Sequence, residues 1–370
     1  MNRSEMFWQT YLKIENEMLE ISKYIYITDE MNDNQLNVFS PHIADLLIRV
    51  CVEIEAISKE LYYNIGGVKQ LGDNSLKFDV ECLKKIDMTY KTSKKMVYVS
   101  CPMFNLTKDN NRMFRPLNKA HKTQGTAWES AYQAIKHDRY ESLSKGTVRN
   151  LLHALGALYL LNIYNRNVKL YSKYTEVSKL DFSFGSAIFS VKKPDEKYVI
   201  DTINNKMLDE LLVATESPFI LKYTDYSYNR VIELYKKTNV KIFEYVFSQP
   251  EASEEEFTKR LDEIINERRG RLLIQEFCMY KINKEIPATL PFMERKKLLV
   301  QSNEWKSLNE SNFLSNKIEI TEENIQDLIN KAGNLYGLKV QKNIEGERLS
   351  EVFDAQCEII LDNGTIKYPS

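Results

Sequence analysis

Apolar positions along this chain recur mostly with the spacing of helices. Phe7, Tyr11, Ile14, Met18, Ile21 and Ile25 fall at steps of three and four, which predicts an amphipathic helix over residues 5–26. A polar stretch then leads to Ser40-Pro41, a capping serine followed by proline at the first helical position. Leu46, Val50, Ile54, Ile57 and Leu61 line one face of the next helix, and Gly66-Gly67 ends it. A third helix is predicted over 78–90. The run "MVYVSCPMF" is rich in β-formers and predicts a short strand or an extended crossing of the core. Residues 105–125 are polar and predict a long exposed loop, a kind of segment that tends to be functional or mobile.

Thr126 opens a helix carrying Trp128 and Tyr132, which ends near "KHDRYESL", where Ser144 can cap another. That following helix, "GTVRNLLHALGALYLLNIYNR", is apolar around most of its circumference and predicts a central core element. Ala154, Gly156 and Ala157 are small enough to let a second helix approach. Beyond residue 165, "SAIFSVKK" reads as a short strand and "PDEKYVIDTINN" as a linker. Helical spacing returns over 206–213, 228–247, 254–283 and 322–334. The carboxylates of "QPEASEEEF" sit at the positive end of the third of these helices, and Thr321 caps the last. Finally, "CEIILDNGTIKY" alternates around Asp362-Asn363-Gly364 and predicts a hairpin. The expected fold is mainly α: a helical bundle over 1–200, then a mostly helical domain over 201–370 carrying a small β-hairpin.

Composition narrows the functional classes. At 370 residues the chain exceeds what one hydrophobic core usually covers, consistent with two domains. Net charge is −1, so any nucleic-acid contact must come from a local basic face. Cys51, Cys82, Cys101, Cys278 and Cys357 are far apart and write neither a disulfide framework nor a CxxC site. No phosphate-loop, dinucleotide-binding, nucleophile-elbow or HExxH motif is present, so no cofactor and no metal is expected. No stretch approaches 18 consecutive apolar residues, and the N-terminus has no apolar run of signal-peptide type; a cytoplasmic protein without a membrane segment is expected.

The densest candidate chemistry is "AWESAYQAIKHDRYESL", residues 127–143. On a single helix, Trp128, Tyr132, Ile135 and Arg139 fall along one stripe, and His137 stands off it between Lys136 and Asp138. An imidazole accepts and donates protons near neutrality, and an adjacent lysine or arginine can hold a phosphate. Asp138 can orient the ring or pair with Arg139. These are parts suited to metal-independent RNA cleavage, in which a base takes the 2′-OH proton and a cation stabilises the crowded phosphorane. The same residues also suit a helix end whose cations oppose the helix dipole. "INERRGRLL" at 265–273 reads as a solvated helix face or as a phosphate contact.

"YLKIENEMLEISKYIYI", "FSPHIADLLIRVCVEIEAISKEL" and "WESAYQAIKHDRYESLSKGTVRNLLHALGALYLL" resemble the all-helical HEPN-like bacterial proteins of the abortive-infection and phage-defence type. The likeness spans roughly residues 5–165 and is most specific at "WESAYQAIKHDR". It implies a helical bundle that pairs with a second copy, a role in conflict systems and, for many members, ribonuclease activity. Matched to the family's K-H-x-R signature, Lys136, His137 and Arg139 take the catalytic roles, with Trp128 and Tyr132 as aromatic supports. The nuclease members carry an arginine and a histidine with four to six residues between them. For His137 those positions are Tyr132, Ala131 and Ser130, none of them basic. Arg149 and His153 are separated by three residues and share a face of the apolar helix; Arg115 and His121 have the family spacing but begin with Arg-Pro in an expected loop. Two readings stay open: an RNA-cleaving dimeric effector, or a non-catalytic sensing or scaffolding protein whose C-terminal half binds a protein or nucleotide signal. A third class, nucleotidyl transfer or hydrolysis of a small phosphorylated ligand, is also open.

Overall fold

The computed structural model describes residues 2–30, 35–70, 72, 76–120, 125–194, 216–259, 270–310 and 319–362. The chain is mainly α, with two small antiparallel sheets among the described residues, and it divides into two compact units. Unit 1 is residues 1–224 with 356–370; unit 2 is 225–355. The boundary expected near residue 200 lies among residues outside the described set, as does the expected helix over 206–213. Unit 2 enters and leaves the sequence of unit 1 between two neighbouring strands.

In unit 1, α1 (Arg3–Ser22) buries Phe7, Tyr11, Ile14, Met18 and Ile21. Asn2 caps it by accepting from the Glu5 amide. In α2 (Pro41–Asn64), Ser40 accepts from the Ile43 amide and the expected stripe is buried. The third expected helix begins as a π-turn over Phe78–Cys82 and continues as α3 (Leu83–Tyr90). α7 (Val148–Arg166) buries nearly all of its length, and α1, α2 and α5 (Ala127–His137) pack around it. Each fully buried Leu, Val or Ile of such a helix contributes roughly 1.5–3 kcal/mol. The size of Gly156 had suggested the approach of a second helix; the nearest neighbours there are instead the rings of Phe114 and Phe189. A Cβ there would lie 2.9 Å from the ring of Phe114, so the absent side chain makes room for an aromatic from a strand.

The first sheet has the order β2-β1-β4, with β1 (Val97–Val99) between β2 (Met113–Phe114) and β4 (Phe189–Val191). The segment expected as an exposed loop is therefore partly core. It holds the one-turn helix α4 (Asp109–Arg112) and strand β2, and it buries Asn111, Phe114, Leu117 and Ala120. Its polar composition hid apolar anchors spaced too widely to register as a period.

The second sheet has the order β3-β6-β5, from β3 (Leu170–Lys173), β5 (Phe219–Tyr223) and β6 (Gln356–Leu361). The first half of the expected C-terminal hairpin is β6, while Asn363 and Gly364 lie outside the described residues. Both edges of β6 are taken, by Leu170–Lys173 on one side and Phe219–Tyr223 on the other. Just past β6, Asp362 meets the Lys95 ammonium at 2.8 Å, and both side chains are 1% exposed.

Unit 2 contains α8 (Asp225–Phe247), α9 (Gly270–Glu285), α10 (Phe292–Gln301), α11 (Asn303–Glu310) and α12 (Ile325–Asp354). The helix expected over 254–283 is helical at 255–259 and again through α9; 260–269, with most of the arginine cluster, lies outside the described residues. α12 runs 30 residues, well past the expected end at 334. Its Gly333 and Gly337 press on α9, where a Cβ would meet Ile282 Cγ2 at 2.7 Å and Gln275 Cα at 2.9 Å.

Candidate functional site

Among the described residues, two of the histidine–arginine pairs singled out in the sequence can be placed, both in unit 1. The first is the end of α5. Thr126 and Glu129 cap the start of this helix reciprocally: the Glu129 amide donates to Thr126 Oγ1, and the Thr126 amide donates to Glu129 Oε2 at 2.7 Å. Burial pushes the Glu129 carboxyl up to about 7 against those bonds, and its Oε1 is buried without a partner. Trp128, Tyr132 and Ile135 are buried as expected, and Trp128 Nε1 donates to the Pro116 carbonyl at 3.0 Å. Lys136 Nζ sits 5.3 Å from the centre of the Tyr132 ring.

The stripe does not extend to Arg139. Asp138 leaves helical geometry at φ −145, ψ 89 and caps the one-turn helix α6 (Arg139–Ser142), accepting from the Glu141 amide at 3.2 Å. That break turns Arg139 toward α2, where its guanidinium lies 2.6 Å from the exposed Asp45 carboxylate. Asp138 therefore serves as a cap, and Arg139 pairs with a different acid. Lys136, His137, Asp138, Arg139 and Tyr140 are all exposed. His137 faces solvent, as the sequence suggested.

The second cluster is on α7. One helical turn puts Arg149 and His153 on the same face. Arg149 Nη1 donates to Asn111 Oδ1 at 2.6 Å, and Asn111 Nδ2 donates to Asp29 Oδ2 at 3.2 Å. Asp29 is fully buried and also accepts from the Thr107 amide, the Thr107 hydroxyl and the Lys108 amide, at 2.9, 2.9 and 2.7 Å. Burial pushes the Asp29 carboxyl up; these bonds outweigh it and hold it at about 2. His153 stacks on Phe114 with ring centres 4.2 Å apart and planes 14° from parallel. Burial, and then the Arg149 charge, lower His153 to about 4. The result is a neutral imidazole beside a guanidinium, both partly exposed and both held from behind. Chemically, such a pair can take a proton and face a developing negative charge.

Sequence reasoning placed Arg149 and His153 together but missed Asp29, Asn111 and Phe114. No periodicity marks them, and Asn111 and Arg149 stand 38 positions apart. Arg115 is paired with Glu216, and His121 lies outside the described residues. Among the described residues, no group of three or more His, Cys, Asp or Glu side chains is placed to hold a metal ion, and no helix is long and apolar enough to cross a membrane. Compared with known protein families, curated proteins and solved structures, the chain matches none.

Proposed function

We propose that unit 1 is the RNA-cutting module of a HEPN-like bacterial conflict protein, active as a homodimer on single-stranded RNA without a metal ion. The observation that supports this most is the anchored Arg149–His153 pair. His153, neutral near pH 7, removes the 2′-OH proton as that oxygen attacks the neighbouring phosphorus, and Arg149 faces the phosphorane. The P–O5′ bond then breaks, leaving a 2′,3′-cyclic phosphate, and the 5′-oxygen leaves with the proton returned by the imidazolium. Lys136, His137 and Arg139 grip flanking phosphates from the exposed end of α5, with His137 as a second proton carrier. This reverses the weight the sequence gave the two clusters, because a base works best where its geometry is fixed. A second copy supplies the opposing wall, which an open helix face lacks.

A sensing or scaffolding role draws support from a different fact: each arginine already has a protein partner, Arg139 with Asp45 and Arg149 with Asn111. The test is cleavage of a labelled single-stranded RNA by the purified full chain in EDTA. The nuclease reading expects cutting that His153→Ala lowers at least about a hundredfold. It expects Lys136→Ala to weaken binding severalfold and to reduce its salt dependence. Intact RNA with the wild type, or equal cutting by His153→Ala and wild type, defeats it and leaves the scaffolding role.

A further inference from the structure

Arg295, on α10 of unit 2, is 9% exposed. A guanidinium has five N–H donors and normally enters a protein interior with a carboxylate. Here its Nη2 donates to Gln326 Oε1, and its Nε is buried without a partner. Among the described residues no carboxylate pairs with it. The neighbouring amides are occupied with one another: Gln326 Nε2 donates to Asn283 Oδ1 at 2.8 Å, and Asn283 Nδ2 donates to Asn330 Oδ1 at 3.1 Å. They supply polarity and no negative charge.

The surroundings add positive potential. Gln326 lies in the first turn of the 30-residue α12, so Arg295 stands near the positive end of a long helix. Lys296 follows Arg295, and its Nζ reaches the Ile320 carbonyl at 3.5 Å, on the turn leading into α12. Among the described acids of this region, Asp327 pairs with Lys331 at 2.6 Å, and Glu294, Glu319, Glu322 and Glu323 are exposed.

We infer that Arg295, with Lys296 and the start of α12, forms a binding site for an oxyanion, the phosphate or carboxylate group of a small ligand. The planar fork suits two oxygens of one such group. A buried cation without a counter-charge destabilises a fold, and an arriving anion relieves that cost. The inference rests on neither cluster of unit 1, so its failure leaves the RNA reading standing.

Thermal unfolding of the full chain by calorimetry tests it, with inorganic phosphate and acetate as separate probes against chloride at matched ionic strength. The expected result is a saturable rise in Tm of about 2–5 °C at ten times the Kd of the better probe. Phosphate winning over acetate identifies a phosphorylated ligand; the reverse identifies a carboxylate. Arg295→Met is expected to match or exceed the wild-type Tm without anion and to lose the rise. Should that variant fail to fold, Lys296→Gln carries the test with a Kd about tenfold weaker. A wild type that responds to neither anion beyond chloride overturns the inference. So does an undiminished rise in Arg295→Met, or in Lys296→Gln where that variant carries the test.

Discussion

The end of α5 and the flank of α7 each join a histidine to an arginine, yet they are built in opposite ways. At α5 the cations stand in solvent, and the ion pair of Arg139 with Asp45 has both partners about half exposed. At α7 a chain of bonds runs from fully buried Asp29 through Asn111 to Arg149, and Phe114 backs the His153 ring. The sequence advertises the first cluster because its residues are consecutive. The second is distributed over three segments and becomes visible only when the chain folds. Proximity in sequence and preorganisation in space are different properties, and chemistry depends on the second.

The largest effect that bears on this contrast is expected at Phe114. It is 8% exposed, fills the space left by Gly156 and stacks on His153. Phe114→Ala should cost about 3–5 kcal/mol in denaturant unfolding. It should also let water reach His153, moving its titration up toward the ordinary histidine range, which NMR of the ring protons reads directly. His137→Ala, at an exposed position, should stay within about 0.5 kcal/mol. Comparable losses from the two substitutions would erase the distinction between anchored and exposed clusters.

A second effect separates the clusters by pH. His153 titrates at about 4 in the folded chain, below its ordinary value. Its contribution is therefore full above about pH 6.5 and is lost as pH falls through 4. Glu129, at the start of α5, titrates at about 7, above its ordinary value. Its contribution is full below about pH 4.5 and is lost as pH rises through 7. Between pH 5 and 6.5 the two slopes oppose each other, each spanning about 1–2 kcal/mol. Wild-type stability should be nearly flat there. Glu129→Gln should leave a curve that rises with pH, and His153→Phe one that falls. Two flat curves from the single variants would show that neither group is held as the structure holds it.

How much of this was legible in advance follows from the range of the interactions. α2 was plain, because Ser40-Pro41 and a five-residue stripe are local signals. Trp128, Tyr132 and Ile135 were correctly placed for the same reason. Asp138 was misread as a partner for neighbouring side chains, because its role as a cap depends on backbone angles that no pattern fixes. The strand at 356–361 was legible from alternation, but its partners at 170–173 and 219–223 were not, since they are specified by packing across most of the chain. The 105–125 segment reads as a loop because its buried Asn111, Phe114, Leu117 and Ala120 make no period, although Asn111 and Phe114 support the candidate site.

The smallest effect is the one that best probes what the α5 cluster is for. An ion pair with both partners about half exposed contributes about 0.2–1 kcal/mol and is screened by salt. A double-mutant cycle of Asp45→Ala and Arg139→Ala should therefore give a coupling in that range at low salt and almost none at 1 M. If Arg139 grips phosphate, Asp45 competes with the RNA for it. Asp45→Ala should then strengthen single-stranded RNA binding a few fold at low salt, while Arg139→Ala weakens it and removes the benefit of the Asp45 change. Weaker RNA binding by Asp45→Ala would mean that the pair itself shapes the binding surface. A coupling well above 1 kcal/mol would make it a brace between α6 and α2 rather than a competed contact.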